Sequence, residues 1–361
     1  MIETGYKGLI GTGGIGSGVF FELEGDHILG RNESRLGVLS NARDFCKLHI
    51  ICHYIAVLMR SDSADKSSFQ TVVIGRVGRD ETGRGMAVMM QQTGMDTSLV
   101  KETASAATLF SVCFQYPDSA GGNITTARSA SSLLSPQDIR QADPLCRSFG
   151  AQGMALAAPE VPLECRLELL KMATECGLKR FCAFNSAELN EPVAADCIRH
   201  TDYIAMNLDE AGTVVGKSLS RDHPEDFLEP VRKKLLAINP EIRILVTLGS
   251  SGSYGWENGA WEFTPCAAVK PKSTAGAGDA ALAGIIVATA CGLPFVLQER
   301  KKRKSLAQTP LESACDFAAL LASLSVLSMD TINLETTPAG LAGHARRLGL
   351  KLSAKIKSLL E

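Results

Sequence analysis

Residues 273–279, STAGAGD, run directly into an apolar stretch that ends at a glycine and a proline. This pattern is typical of a turn that leads into a buried helix. Backbone N–H groups point outward at a helix N-terminus, and the small residues Gly276, Ala277 and Gly278 would let an anion approach them closely. The segment therefore predicts a site for an oxyanion or a phosphoryl group.

Asp279 ends this segment with a carboxylate, which would repel a bound phosphate unless it took part in the chemistry. One role is to accept the proton of a hydroxyl group as that group attacks phosphorus. The other role is to cap the following helix, which is common for aspartate at a helix start. The local sequence leaves both roles open.

A second glycine-rich segment, residues 11–18 (GTGGIGSG), matches the G-x-G-x-x-G pattern of dinucleotide-binding folds. That pattern binds a pyrophosphate only where a helix follows it. The next residues, VFFELEGDHILGRNESRLG, start with β-branched and aromatic side chains, and Gly25 and Gly30 would interrupt a helix. We therefore expect strands and turns here, with the glycines ending a first strand, and no bound dinucleotide.

The elements that must position STAGAGD alternate from about residue 135 onward. Helical spacing in CRLELLKMATECG and EDFLEPVRKKLLAI alternates with the strand-like runs RFCAFN, TDYIAMN and IRILVTLG. Such alternation predicts an α/β fold, with a mostly parallel central sheet, helices on both faces and ligands at the carboxyl ends of the strands. The earlier part is rich in strands, and TLFSVCFQYPDSAGGNITTARS predicts a hairpin.

Composition favours a small-molecule partner. The 361 residues carry a formal net charge of -2, which gives no footprint for nucleic acid or an anionic membrane. Eleven scattered cysteines without a C-x-x-C pair favour buried thiols in a reducing compartment. Because the sequence shows neither a secretory signal nor a membrane-spanning apolar run, we expect a cytoplasmic protein. The basic run at residues 300–304 predicts a solvated loop, with a partner-binding or phosphate-steering role as the alternative.

Four motifs in order resemble those of the ribokinase-like (PfkB) carbohydrate kinases. STAGAGD is similar to the signature D-T-x-G-A-G-D, and IGRVGRDETGRGMAVMMQQTGMDTSLV resembles the G-x-V-G-x-D-x-x-G stretch. MNLDEAGTVVG resembles the N-x-x-E element, and VTLGSSGSYGW the T-L-G-x-x-G strand and turn. The resemblance extends from Gly11 to about Pro338. It implies one ribokinase-like domain over residues 1–361, with a small β lid from about residues 17–40 and 108–128.

The resemblance also implies an activity: ATP-dependent transfer of a phosphoryl group to a hydroxyl of a sugar or sugar-like molecule, or of a nucleoside. Asp279 would be the catalytic base, and the amides of Gly276, Ala277, Gly278 and Asp279 would form the anion hole. Glu210 would organise Mg²⁺. The implied nucleotide-site residues are Asn207, Glu210, Thr247, Gly249 and Gly252, with Ala319 and Ser323 beside the adenine.

Simpler roles for these residues stay open. Asn207 and Glu210 could simply start a helix with a polar first turn, and the glycines could simply form a turn. The apolar stripe that contains Ala319 and Ser323 could be core. Ser273 replaces the usual aspartate of the signature beside two lysines, which leaves dependence on a monovalent cation open.

Departures from the family pattern concentrate on the acceptor side. The family has an aspartate in a G-x-x-N-x-D pattern at the end of its first strand, where this chain has Gly18. The segment LGVLSN keeps Gly37 and Asn41 of a G-G-x-x-x-N element, and Glu160 stands where some sugar kinases have a substrate-binding glutamate. The predicted acceptor residues are Gly16, Gly18, Gly37, Asn41, Arg128 and Glu160.

The missing acid at Gly18 motivates an alternative function, a catalytically silent protein of the same fold that binds a nucleotide or sugar for regulation. Asp279 within an intact signature favours the kinase. Kinship with the family further implies a homodimer formed through the lid.

Overall fold

The structure is a computed structural model that describes residues 4–60, 69–117, 121–220, 222–298 and 302–361. Its strands are β1 (Gly8–Thr12), β2 (Gly16–Leu23), β3 (Gly37–Phe45), β4 (Gln70–Gly78), β5 (Met95–Thr103), β6 (Leu109–Gln115), β7 (Gly121–Thr125), β8 (Gly153–Ala157), β9 (Lys179–Ala183), β10 (Tyr203–Asn207), β11 (Arg243–Thr247), β12 (Ser253–Glu257) and β13 (Ala260–Thr264). Its α-helices are α1 (Lys47–Leu58), α2 (Glu81–Gln92), α3 (Pro136–Ile139), α4 (Asp143–Phe149), α5 (Leu163–Cys176), α6 (Pro192–Arg199), α7 (Leu208–Val215), α8 (Glu225–Ile238), α9 (Ala277–Ala290), α10 (Ala314–Ser325), α11 (Pro338–Arg347) and α12 (Ala354–Leu360).

The described residues form a central sheet of nine strands in the order β13, β12, β11, β10, β9, β8, β1, β4, β5. Neighbouring strands are parallel from β11 to β5, and β12 and β13 add an antiparallel edge. Strand β1 is buried along its whole length, because Leu9 packs with α1, α9 and α10 while Ile10 packs with α3, α4 and α5. Helices therefore cover both faces, and the predicted α/β fold is confirmed.

A second, smaller sheet has the order β3, β2, β6, β7. Strand β2 is antiparallel to β3 and parallel to β6, which is antiparallel to β7. The segments predicted for the lid contain β2, β6 and β7 almost entirely, whereas β3 continues to Phe45. Part of the predicted hairpin turn, residues 118–120, lies outside the described residues.

The glycine-rich residues 11–18 pass from β1 directly into β2, so that no helix follows the G-x-G-x-x-G pattern. Gly16 has no room for a side chain, because a Cβ there would lie 2.2 Å from the carbonyl oxygen of Leu109. The predicted strand-and-turn geometry is confirmed, and a dinucleotide has no helix N-terminus to bind at this place. Within the described ranges, no helix is long and apolar enough to cross a membrane.

The basic run agrees only in part with the predicted solvated loop, because Lys302 and Lys304 are exposed and Arg303 is not. Residues 300 and 301 lie outside the described part of the chain, but Arg303 is buried, with 2% of its surface exposed. Its guanidinium donates to the carboxylate of Asp316 and lies 3.8 Å from that of Glu262. Asp316 in turn accepts a hydrogen bond from the Ser313 backbone N–H at the start of α10. Arg303 therefore fastens the loop to α10.

We expect Arg303→Met to lower the free energy of unfolding by about 3 to 5 kcal/mol, since it removes the buried Arg303 charge from its ion pair with the Asp316 carboxylate. Urea unfolding measures the change, and Lys304→Met on the neighbouring exposed side chain is the matched control. Equal midpoints for the two variants would show that the buried pair contributes nothing to stability.

Candidate active site

A cavity of about 330 Å³ opens between the small sheet and the start of α9. Parallel strands bring their carboxyl ends to one edge of a sheet, where open α/β folds bind ligands. Residues of the small sheet, of the start of α1, of the turn after β8 and of the signature turn line the cavity. Lining residues with polar or charged side chains or in the signature turn include Asp44, Lys47, Ser111, Glu160, Gly276 and Asp279.

The signature turn is built as its sequence predicts. Gly276 adopts a left-handed conformation, with φ of 77°, and a Cβ there would lie 2.7 Å from the carbonyl oxygen of Thr331. Helix α9 begins directly after it, and a Cβ placed on Gly278 would have no heavy atom within 4 Å. The first turn of α9 therefore has open space beside Gly278 for a ligand.

Asp279 is the third residue of α9 and its side chain does not cap the helix, because the capping position is Gly276 and no side chain caps it. The carboxylate lines the cavity instead. Burial raises the pKa of Asp279 to about 6, while the positive charge of Lys47 opposes that rise. Of the two roles that the sequence left open, the geometry is consistent with the proton acceptor and not with the cap.

Lys47, the first residue of α1, is a site residue that motif matching missed. Its Nζ lies 3.6 Å from Oε1 of Glu210. Burial alone would lower the pKa of Lys47, but the negative charges of Asp279, Glu210 and Glu160 outweigh it and hold that pKa above its usual value. A cation therefore lies beside the acid of the N-x-x-E element and within electrostatic reach of the acid of the signature.

Glu160 follows β8 in a left-handed conformation that is rare for any residue other than glycine, with φ of 76°. Among the residues that the structure describes, its Oε2 is buried and has no hydrogen-bond partner. Gly14 makes room for it, because a Cβ on Gly14 would lie 2.5 Å from the Cβ of Glu160. Burial raises the pKa of Glu160 to about 7. A strained backbone and an unpaired buried acceptor are features of a ligand site.

Asn207 and Glu210 form a capping box at the start of α7. The Glu210 backbone N–H donates to Asn207 Oδ1 at 2.8 Å, and the Asn207 backbone N–H donates to Glu210 Oε2 at 2.8 Å. The simpler role as a helix start is therefore present. The capping box uses only Oε2 of Glu210, and Oε1 faces Lys47. Burial raises the pKa of Glu210, and the positive charge of Lys47 opposes that rise.

The T-L-G-x-x-G turn adjoins this helix start, because Thr247 pairs in register with Asn207 across β10 and β11. Gly249 and Gly252 both have positive φ, 59° and 94°. A Cβ on Gly252 would lie 2.4 Å from the carbonyl oxygen of Thr264. The structure thus brings two of the matched motifs together at one strand edge.

Several predicted residues lie elsewhere. Gly37 pairs with Leu23 at the far end of β2. Asn41 is exposed at the point where the pairing of β3 with β2 is interrupted. The segment LGVLSN therefore belongs mostly to β3, and α1 begins only at Lys47. Arg128 is exposed and does not line the cavity.

The two residues predicted to lie beside the adenine, Ala319 and Ser323, are both in α10. The Ser323 side chain is buried, donating to the Leu320 carbonyl oxygen at 2.7 Å and bonding His344 Nε2 at 2.9 Å. It therefore belongs to the core and cannot contact a nucleotide without breaking those bonds. Ala319 is partly buried and packs against the same core.

Solved structures share this architecture. A ribokinase from Giardia lamblia is 14% identical, with 93% of this chain and 99% of that chain covered at a TM-score of 0.74. A ribokinase from Thermotoga maritima is 15% identical, covering 94% and 100% at a TM-score of 0.70. An Arabidopsis thaliana ribokinase complexed with ribose and ATP is 17% identical, covering 99% of both chains at a TM-score of 0.65. No curated protein sequence matches significantly.

The chain has a nine-stranded, mostly parallel sheet and a second, smaller sheet. Its similarity to these ribokinase structures shows that this is the ribokinase-like fold. The chain belongs to the pfkB family of carbohydrate kinases, whose family model matches residues 54–338. The family that the four motifs predict is therefore confirmed.

Proposed function

We propose that this protein is an ATP-dependent kinase that transfers the γ-phosphoryl group to a hydroxyl group of a sugar or sugar-like small molecule. The observation that carries the proposal is the Asp279 carboxylate, which lines the cavity at the open first turn of α9 and caps no helix. Membership of a carbohydrate kinase family supports it.

In the proposed reaction Asp279 accepts the proton of the acceptor hydroxyl. The hydroxyl oxygen bonds to the γ-phosphorus as the bond from that phosphorus to the bridging oxygen of ADP breaks, so that ADP leaves with the bonding electrons. Backbone amides of Gly276, Ala277, Gly278 and Asp279 would donate to the oxygens of the transferring group. With a pKa of about 6, Asp279 is largely ionised at neutral pH and ready to take the proton.

The nucleotide side of the proposal uses the strand edge at β10 and β11. Asn207, Thr247, Gly249 and Gly252 would contact the ATP phosphates and ribose, since Thr247 pairs with Asn207 at this edge and both glycines have the positive φ of a tight turn beside it. The described residues contain no group of three acids, histidines or cysteines that could hold a metal. Mg²⁺ commonly binds one or two carboxylates together with substrate phosphates, and the single acid Glu210 fits that pattern. Bound Mg²⁺ would neutralise phosphate charge.

The acceptor side is proposed to include Glu160, whose unpaired Oε2 would accept a hydrogen bond from an acceptor hydroxyl. Gly16 and Gly18 do not line the cavity themselves, but they lie in β2 beside Ser111, where a side chain would collide with β6. Gly37, Asn41 and Arg128 are not part of this proposal, because they lie away from the cavity.

The proposed assembly is a homodimer through the small sheet. Alternate residues of this sheet turn inward to the cavity, as Ser111 and Cys113 do. The outward residues include the exposed side chains of Leu39, Phe110 and Ile124. An exposed apolar sheet face fits a second copy of the chain. All eleven cysteines are free thiols, which supports the cytoplasm as the proposed compartment.

The test is an ADP-release assay with ATP and Mg²⁺ over a panel of sugars, polyols, sugar phosphates and nucleosides. We expect at least one acceptor to raise ADP release well above the rate without acceptor. ATP binding by calorimetry is measured in parallel. Bound ATP together with silence across the panel would favour the regulatory alternative, and absent ATP binding would overturn the nucleotide assignment.

A further inference from the structure

Gly18 lies between two polar side chains of the small sheet. It pairs with Asp44 on β3 and with Ser111 on β6. A Cβ on Gly18 would lie 2.1 Å from Ser111 Oγ and 3.0 Å from the Cβ of Asp44. The space that a side chain at residue 18 would occupy is therefore filled by these two neighbours.

Asp44 and Ser111 are joined in a fixed orientation. The Ser111 hydroxyl donates to Asp44 Oδ2, and the Cys113 thiol donates to the same oxygen at 3.2 Å. Burial raises the pKa of the Cys113 thiol, and the charge of Asp44 adds to the rise, so that the thiol keeps its proton and remains a donor. Because two donors already bond Oδ2, Oδ1 is the oxygen left for a further partner.

The bonding leaves two acceptor atoms for a ligand. Within the described part of the chain, no group donates to Asp44 Oδ1. The Ser111 proton is directed to Asp44, so that the lone pairs of Ser111 Oγ can accept. Both residues line the cavity with Glu160 and Asp279. These three carboxylates outnumber Lys47, the cation in the same lining, so that the Asp44 end of the cavity disfavours an anionic group and favours a neutral donor of hydrogen bonds.

We propose that Asp44 and Ser111 bind two neighbouring hydroxyl groups of the acceptor, one at Asp44 Oδ1 and one at Ser111 Oγ. The inference rests on the proposed kinase function and deepens it, because it specifies the acceptor as an uncharged polyol with a vicinal diol at this end. The acid that Gly18 lacks is supplied by the adjacent strand.

The test compares wild type, Asp44→Asn, Ser111→Ala and the control Glu22→Gln, an exposed acid on β2. The probes are D-ribose, D-fructose, D-glucose and myo-inositol, their deoxy analogues lacking one hydroxyl of each vicinal pair, and alcohols with a single hydroxyl. ADP release is measured at saturating ATP and Mg²⁺. Thermal melting verifies that each variant is folded.

We expect the wild type to use at least one vicinal diol and to prefer it over its deoxy analogue. Asp44→Asn should raise the KM for that diol roughly 100-fold and Ser111→Ala roughly 10-fold, with the KM for ATP unchanged within about twofold. Asp44→Asn should also erase the preference for the diol, which a merely structural role would not do. Glu22→Gln should match the wild type.

Two results would overturn the inference. One is an undiminished preference for the diol in folded Asp44→Asn and Ser111→Ala variants. The other is wild-type protein that binds ATP but uses no diol of the panel, whatever it does with single-hydroxyl alcohols. Turnover of a single-hydroxyl alcohol would still support the proposed kinase function. Failure to bind ATP would instead contradict the kinase function itself.

Discussion

Asp279→Asn is expected to lower kcat for phosphoryl transfer by roughly 10²- to 10⁴-fold, the usual contribution of a positioned general base. The amide is nearly isosteric with the carboxylate but cannot take the proton of the attacking hydroxyl. ATP affinity should stay within about threefold of wild type, because the amides of the α9 turn remain in place. The variant thus separates chemistry from binding.

Asp209→Asn is the matched control, since Asp209 is an exposed acid in the first turn of α7, one residue from Glu210. Single-turnover ADP formation and calorimetric ATP binding give the two readouts. Full turnover by Asp279→Asn on an acceptor that the wild type uses would exclude Asp279 as the base.

The pH profile supplies a second readout for the same residue. Since burial raises the pKa of Asp279 to about 6, the base is lost by protonation as the pH falls through that value. Wild-type kcat/KM should therefore decrease below about pH 6 and level off above it. This acid limb should disappear in the residual activity of Asp279→Asn.

The signature turn and the alternating elements were predictable because their information is local. A run of small residues before an apolar stretch fixes the conformation at Gly276 and the start of α9, wherever the rest of the chain lies. Buried apolar runs likewise predict the parallel strands, since period and length are properties of each segment alone. These elements can therefore be predicted without knowing which residues pack against them.

Asp44 and Lys47 were not predictable in this way. Both follow the irregular part of β3, where the pairing with β2 shifts between Val19 and Phe20. The pairing leaves Asn41 and Ala42 of β3 without a partner on β2, and nothing in the local sequence indicates this irregularity or the start of α1 just after it. The residues that match the family element, Gly37 and Asn41, lie earlier in β3 than Asp44, which lines the cavity.

Ser323 and Arg303 illustrate the same limit for helices and loops. The stripe around Ser323 is equally consistent with a core and a ligand wall until His344 is placed beside it. A basic run is usually solvated, and only the fold brings Asp316 and Glu262 to Arg303. In each case the deciding partner is distant in the sequence.

Lys47→Met is expected to weaken binding of ATP roughly 10- to 100-fold while changing the affinity for ADP by less than about threefold. Its ammonium lies 3.6 Å from Oε1 of Glu210, the proposed metal acid, and within electrostatic reach of Asp279, the proposed base. In the proposed reaction the γ-phosphoryl group passes through that same space, and ADP does not carry this group. The cation would therefore act on the transferring group itself.

The same substitution should change the pH profile in a defined direction. Lys47 lowers the pKa of Asp279, so that removing its charge lets burial raise that pKa further and moves the acid limb of kcat/KM to higher pH. Lys47→Arg keeps the charge and should keep the limb near its original position, and Lys272→Met removes an exposed lysine beside the signature as the control. Equal losses of ATP and ADP affinity, with an unmoved limb, would mean that Lys47 only supports the start of α1 and does not face the phosphoryl group.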